Sequence, residues 1–63
     1  MNLEDFNVGD RVLYIPGHAH GDRHHPDCEV GVVTSKNDHF VFVRYNPLSI
    51  NGVATDADDL VKL

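Results

Sequence analysis

The sequence predicts a small all-β fold built from five short strands. Nine of its 63 residues are valine, and β-branched side chains favour the pleated surface of a sheet. Short apolar runs alternate with Gly, Pro, Asn and Asp, which mark turns. We expect one domain over residues 1–63, since a chain of this size has room for only one. A single cysteine cannot form an intramolecular disulfide, so one compact apolar core must stabilise the domain.

The strands are placed by the turn residues that end each apolar run. Pro16 closes the first run because proline has no N–H for a sheet ladder. Gly31 lies inside the second run and indicates a bulge or a tight bend. The segment Lys36-Asn37-Asp38 predicts a hairpin turn, and Asn46-Pro47 ends the strand that follows. The predicted strands are residues 11–15, 29–35, 39–45, 53–55 and 60–63.

A capping pattern precedes the last predicted strand. Thr55 or Asp56 can accept backbone N–H groups of the next turn, and Asp58 and Asp59 suit the start of a helix. The pattern predicts one 3₁₀ turn at this point. Five short strands, a long His-rich first loop and this turn together predict an SH3-like barrel, in which closure hides the strand edges.

Two resemblances support this fold. SH3-like barrels of the KOW and Tudor-like kind have strands similar to residues 8–12, 29–33 and 58–61. A group of small uncharacterised bacteriophage and prophage proteins is similar in the loop His18-Ala19-His20-Gly21-Asp22, at His25 and over residues 29–33, 35–38 and 40–43. Together the resemblances span residues 8–63 and imply an SH3-like fold and a phage origin. The KOW resemblance implies contact with a ribosome or a polymerase.

The charge balance bears on partner and compartment. The formal charge is −5, and the five basic residues are scattered along the chain, which opposes binding to nucleic-acid phosphates and suits a basic partner. No apolar run approaches the roughly 20 residues of a membrane span, and the N-terminal residues lack the features of a secretion signal. A lone cysteine fits the reducing cytoplasm, here that of a bacterial host.

The first predicted loop concentrates the side chains that could bind a metal. Residues 17–29 hold four of the five histidines and the only cysteine. Imidazole and thiolate are preferred zinc ligands. His18 and His20 share one side of an extended segment, and Cys28 can turn back towards His25 through Pro26. The sequence therefore offers zinc as an alternative cofactor, with His18, His20, His25 and Cys28 as its ligands.

Hydrogen bonding offers another interpretation of the same loop, with no cofactor. Asp22 and Asp27 can accept backbone N–H groups in turns. His18 or His25 can join a carboxylate such as Glu29 or Asp22 to another group through its two ring nitrogens. Both interpretations of the loop stay open at this point.

Enzymatic chemistry is not indicated. Cys28 has histidines nearby, but Asp27 and Glu29 flank it, and a reactive thiolate needs an electropositive setting. The sequence has no Gly-rich phosphate-binding loop. We therefore expect a protein that is not an enzyme.

The third predicted strand carries apolar residues on both faces. Alternation places Val41, Val43 and Tyr45 on one face and Phe40, Phe42 and Arg44 on the other. Either Leu3 and Phe6 of the lead-in cover the two phenylalanines, or the phenylalanines form a patch that binds a partner or a second copy. The residues predicted to contact a partner are Phe40, Phe42, Asp22 and His25.

These observations predict a small non-enzymatic binding module, encoded by a phage or prophage, that contacts a host or phage protein. The alternative is a zinc-binding domain with its site in the His/Cys loop. A nucleic-acid-associated barrel is the third possibility, which the charge opposes.

Overall fold

A computed structural model describes residues 1–63 of the chain. It contains five strands, three short 3₁₀ turns and no α-helix, so the predicted all-β class is confirmed. The strands are β1 (Arg11–Tyr14), β2 (Glu29–Lys36), β3 (Val41–Arg44), β4 (Val53–Thr55) and β5 (Leu60–Lys62). The 3₁₀ turns are Leu3–Asp5, Gly17–Ala19 and Ala57–Asp59.

All five strands join one antiparallel sheet with the order β4-β3-β2-β1-β5. The longest strand, β2, pairs with β1 on one side and with β3 on the other. The outer strands β4 and β5 do not pair with each other, so the sheet is not closed and the predicted barrel is not confirmed. The structure has no helix with the length and apolar character needed to cross a bilayer.

The irregularity in β2 lies at Thr34 and not at Gly31. Gly31 pairs in regular register with Val12, whereas the register with β3 shifts between Val33 and Ser35. Gly31 is needed for a different reason. A Cβ atom there would lie 2.4 Å from Val43 Cγ1 and 2.9 Å from a ring carbon of Tyr45. Because Gly31 has no side chain, the side chains of Val43 and Tyr45 can lie over β2 at this position.

The bulge at Thr34 changes which face the end of β2 presents. Beyond it, Lys36 lies opposite Val41, whose side chain is fully buried. The Lys36 amine donates to the carbonyl oxygens of Phe6 at 2.7 Å and Leu3 at 3.2 Å. These bonds hold the N-terminal lead-in against the sheet.

The hydrophobic core lies on one face of the sheet and includes the lead-in. Val41 and Val43 are fully buried, as the predicted alternation requires, and Phe6 packs with them. Phe6 belongs to this cluster and Leu3 packs against it, on the face opposite Phe42, so the lead-in does not cover Phe42. Phe40 is 43% exposed, and Phe42 is partly buried. The core cluster is Phe6, Val12, Val33, Val41, Val43, Ala57 and Leu60.

Two valines of the sheet test this assignment of faces. Val43→Ala removes two fully buried methyl groups and should lower the free energy of unfolding by about 1–3 kcal/mol. Val30→Ala is the matched control, because Val30 is 47% exposed, and should change it by less than about 0.5 kcal/mol. Urea unfolding measures both values. An equal loss in the two variants would contradict the assignment.

Candidate functional site: a histidine-rich loop beside a tyrosine cleft

The His-rich loop joins β1 to β2, and its ends are fixed where Tyr14 pairs with Glu29. Ala19 is 5% exposed and anchors the 3₁₀ turn Gly17–Ala19 against the domain. His20 and Gly21 then take positive φ values of 51° and 78°, a conformation in which glycine is unstrained. These two residues turn the chain back towards β2.

Hydrogen bonds within the loop hold its second half. Asp22 Oδ1 accepts the backbone N–H of His24 at 2.9 Å. The Cys28 thiol donates to the carbonyl of Asp22 at 3.3 Å, and the Cys28 N–H donates to the carbonyl of His25. The second half of the loop is therefore ordered by hydrogen bonds among its own residues.

Three of the loop side chains converge. His18 Nε2 donates to Asp27 Oδ2 at 2.6 Å, and His25 Nδ1 accepts the backbone N–H of Asp27 at 3.0 Å. The rings of His18 and His25 meet edge to face with centroids 5.2 Å apart. The hydrogen bond from His18 lowers the pKa of the Asp27 carboxyl. The carboxylate that hydrogen-bonds to a histidine is therefore that of Asp27. The expectation that a histidine contacts the carboxylate of Glu29 or Asp22 is wrong.

The structure brings together two of the four predicted zinc ligands. The donor atoms of His18, His25 and Asp27 all lie within 4.8 Å of one another. His20 and Cys28 do not belong to this group. The Asp27 carboxylate was expected only as a turn acceptor, and its place in the group was missed. Its spacing of two residues from His25 is a sequence signal that could have found it.

One of two clefts of nearly equal volume lies at the same end of the sheet. It has a volume of about 430 Å³, and Tyr14 and Tyr45 meet in it edge to face with ring centroids 6.0 Å apart. Val53 of β4 contributes apolar surface beside them. Three acidic residues complete the lining, Glu29, Asp56 and Asp59, and the Asp56 carboxylate accepts the backbone N–H of Asp58 at 2.9 Å.

Tyr45 is held in the cleft by a hydrogen bond. Its hydroxyl lies 2.9 Å from the Thr55 hydroxyl, and either group can donate; Thr55 Oγ1 also lies 3.1 Å from the carbonyl oxygen of Val53. Burial raises the pKa of the Tyr45 hydroxyl, and the negative charges of Glu29 and Asp59 act in the same direction. The cleft is therefore an aromatic surface in a negative field.

An exposed apolar loop adjoins the cleft. Residues 45–52 join β3 to β4, and both ends of this loop reach the cleft, at Tyr45 and near Val53. Leu48 is 91% exposed and Ile50 is 89% exposed. Asn46 Oδ1 accepts the N–H of Leu48 at 2.9 Å and so holds the turn. The loop therefore exposes two large apolar side chains between two residues that line the cleft.

The four residues predicted to contact a partner do not form one surface. Asp22 and His25 precede β2, whereas Phe40 lies in the turn after it and Phe42 lies in β3. Antiparallel pairing therefore separates the two pairs by the length of β2. Their role in binding stays a prediction.

Strand pairing places two arginines on either side of β2, an arrangement that the sequence did not indicate. Arg11 and Arg44 both pair with Val32, from opposite sides of β2. A pair of arginines is far smaller than the basic surfaces that bind nucleic-acid backbones.

Comparison with known proteins yields no family model, curated protein or solved structure that matches this chain.

The tyrosine cleft predicts an alkaline effect on stability. The pKa of Tyr45 is raised in the folded state, so the unfolded chain releases this proton first. Stability is present below the ordinary tyrosine pKa of about 10 and is lost as pH rises from that value through the folded pKa. In an ultraviolet titration of tyrosinate formation, the Tyr45→Phe protein should lack the transition that has the highest pKa in the wild-type protein. Loss of a component at or below the ordinary value would contradict the burial argument.

Proposed function

We propose that the chain is a non-enzymatic binding module that holds a basic segment of a partner protein in the cleft lined by Tyr14 and Tyr45. The observation that carries the proposal is the pairing of two tyrosine rings with three acidic lining residues in one cleft, of which Glu29 and Asp59 act electrostatically on Tyr45. A cation over an aromatic face is stabilised by about 0.5–1 kcal/mol at an exposed site. Carboxylates on the rim add attraction and orient the approaching charge.

The surroundings of the cleft favour a peptide segment over a free small cation. Leu48 and Ile50 are almost fully exposed on the adjoining loop, where they can contact apolar side chains next to the basic residue. The formal charge of −5 also attracts a basic partner over a longer range. A partner segment would therefore combine a lysine or arginine with apolar neighbours.

The fold and origin belong to the same proposal. We interpret the sheet as an SH3-like barrel, supported by a central β2 shared between β1 and β3, its bulge at Thr34 and the 3₁₀ turn before β5. Bulges of this kind bend a sheet towards closure. The proposed module is phage- or prophage-encoded and acts in the bacterial cytoplasm on a host or phage protein.

The test uses two matched pentapeptides in an NMR titration. One has the sequence Leu-Ala-Arg-Ala-Leu, and the other carries citrulline in place of arginine, which removes the charge and keeps the shape. We expect the arginine peptide to shift the resonances of Tyr14, Tyr45 and Val53 with several-fold higher affinity, and added salt to reduce the difference. Equal affinity of both peptides, or shifts confined to other residues, would contradict the proposal.

A pair of charge variants separates the cleft from the overall charge. Glu29→Gln removes a carboxylate from the cleft, whereas Glu4→Gln makes the same change in the lead-in, outside the cleft. Affinity for the arginine peptide should fall several-fold in Glu29→Gln and stay near the wild-type value in Glu4→Gln. An equal fall in both variants would show attraction to the net charge alone.

A further inference from the structure

We propose that His18, His25 and Asp27 bind a zinc ion, at a site separate from the tyrosine cleft. The donor atoms of the three side chains lie within 4.8 Å of one another. Zinc binds imidazole nitrogen and carboxylate oxygen at about 2.0–2.2 Å. Rotation of the side chains that moves each donor by about 1 Å would bring all three to that distance from one ion.

The donor set selects among metals. Two imidazoles and one carboxylate suit zinc and other late transition metals, whereas magnesium and calcium prefer oxygen ligands. Three protein ligands also leave the fourth position of a tetrahedral ion to water or to a group from outside the chain. The ion would therefore be bound at an open site.

Hydrogen bonds already hold the three side chains near one another, and an ion would replace the bond between His18 and Asp27. The proton that His18 donates to Asp27 occupies the space between two donor atoms, and zinc would displace it. The bond from the Asp27 N–H holds the His25 ring against Asp27. The His18 and Asp27 side chains are 62% and 59% exposed, so these bonds restrain the side chains in part and reduce the entropy cost of binding an ion.

The rest of the loop does not need the ion to be ordered. Its other bonds, from His24 to Asp22 and from Cys28 to Asp22, do not use the donor atoms of the group. Zinc should therefore bind to a folded loop. This separates the site from small zinc domains that unfold without their metal.

The test is calorimetric titration of zinc chloride into tag-free, chelator-treated protein. We expect saturable binding of one ion, about tenfold or more weaker in His18→Gln, His25→Gln and Asp27→Asn. His20→Gln and Cys28→Ser are the matched controls from the same loop, and their affinity should stay within about twofold of wild type. Amide NMR spectra confirm that each variant is folded.

Cobalt and magnesium give independent readings on the wild-type protein. Cobalt should bind with visible d–d bands and without the thiolate charge-transfer band that ligation by Cys28 would produce. Magnesium should not compete with zinc. The proposal is overturned by unsaturable zinc binding, by a thiolate band, by magnesium competition, or by equal weakening in His20→Gln or Cys28→Ser.

Discussion

The missing side chain of Gly31 is the constraint on which both the core and the cleft depend. A Cβ atom at this position would overlap Val43 and press on the ring of Tyr45. With only hydrogen there, Val43 reaches full burial in the core. Tyr45 comes across β2 and meets Tyr14 of β1 edge to face. Close packing at one glycine thus places two aromatic rings, from strands far apart in sequence, in one cleft.

The pairing of β1 with β2 connects this packing to the His-rich loop. Tyr14 and Glu29 are the last pair of that ladder, and both line the cleft. The loop leaves from one of them and returns to the other, so the ladder fixes its two ends. His18, His25 and Asp27 are then positioned by bonds within the loop. The two proposed sites therefore rest on the same end of one hairpin but use separate residues.

Most of the fold could be predicted from the sequence because its signals are local. The valine runs, Pro16 and the capping pattern around Asp56 placed the strands and the last 3₁₀ turn within one or two residues of those observed. The bulge could not be placed, because a glycine within a strand fits either a bulge or a close approach of neighbouring side chains, and only the packing of β3 decides between them. The position of Phe6 was equally hidden, because the Lys36 amine that holds the lead-in lies 30 residues away.

The candidate site was predicted only in part for the same physical reason. The concentration of histidines indicated this loop, and His18 and His25 converge in it. Spacing alone could not show that His20 takes a left-handed conformation or that the Cys28 thiol bonds to a carbonyl. The tyrosine cleft left no sequence signal, because Tyr14 and Tyr45 become neighbours only through strand packing.

The most direct measurement of this account is the stability of Gly31→Ala, read together with the contact between Tyr14 and Tyr45. Gly17→Ala is the control, because a Cβ atom at Gly17 meets nothing within 4 Å. We predict that Gly31→Ala loses about 1–3 kcal/mol of unfolding free energy from overpacking and weakens the NMR cross-relaxation between the two tyrosine rings. Gly17→Ala should preserve both. A Gly31→Ala protein as stable as Gly17→Ala, with the ring contact intact, would contradict the central role of this glycine.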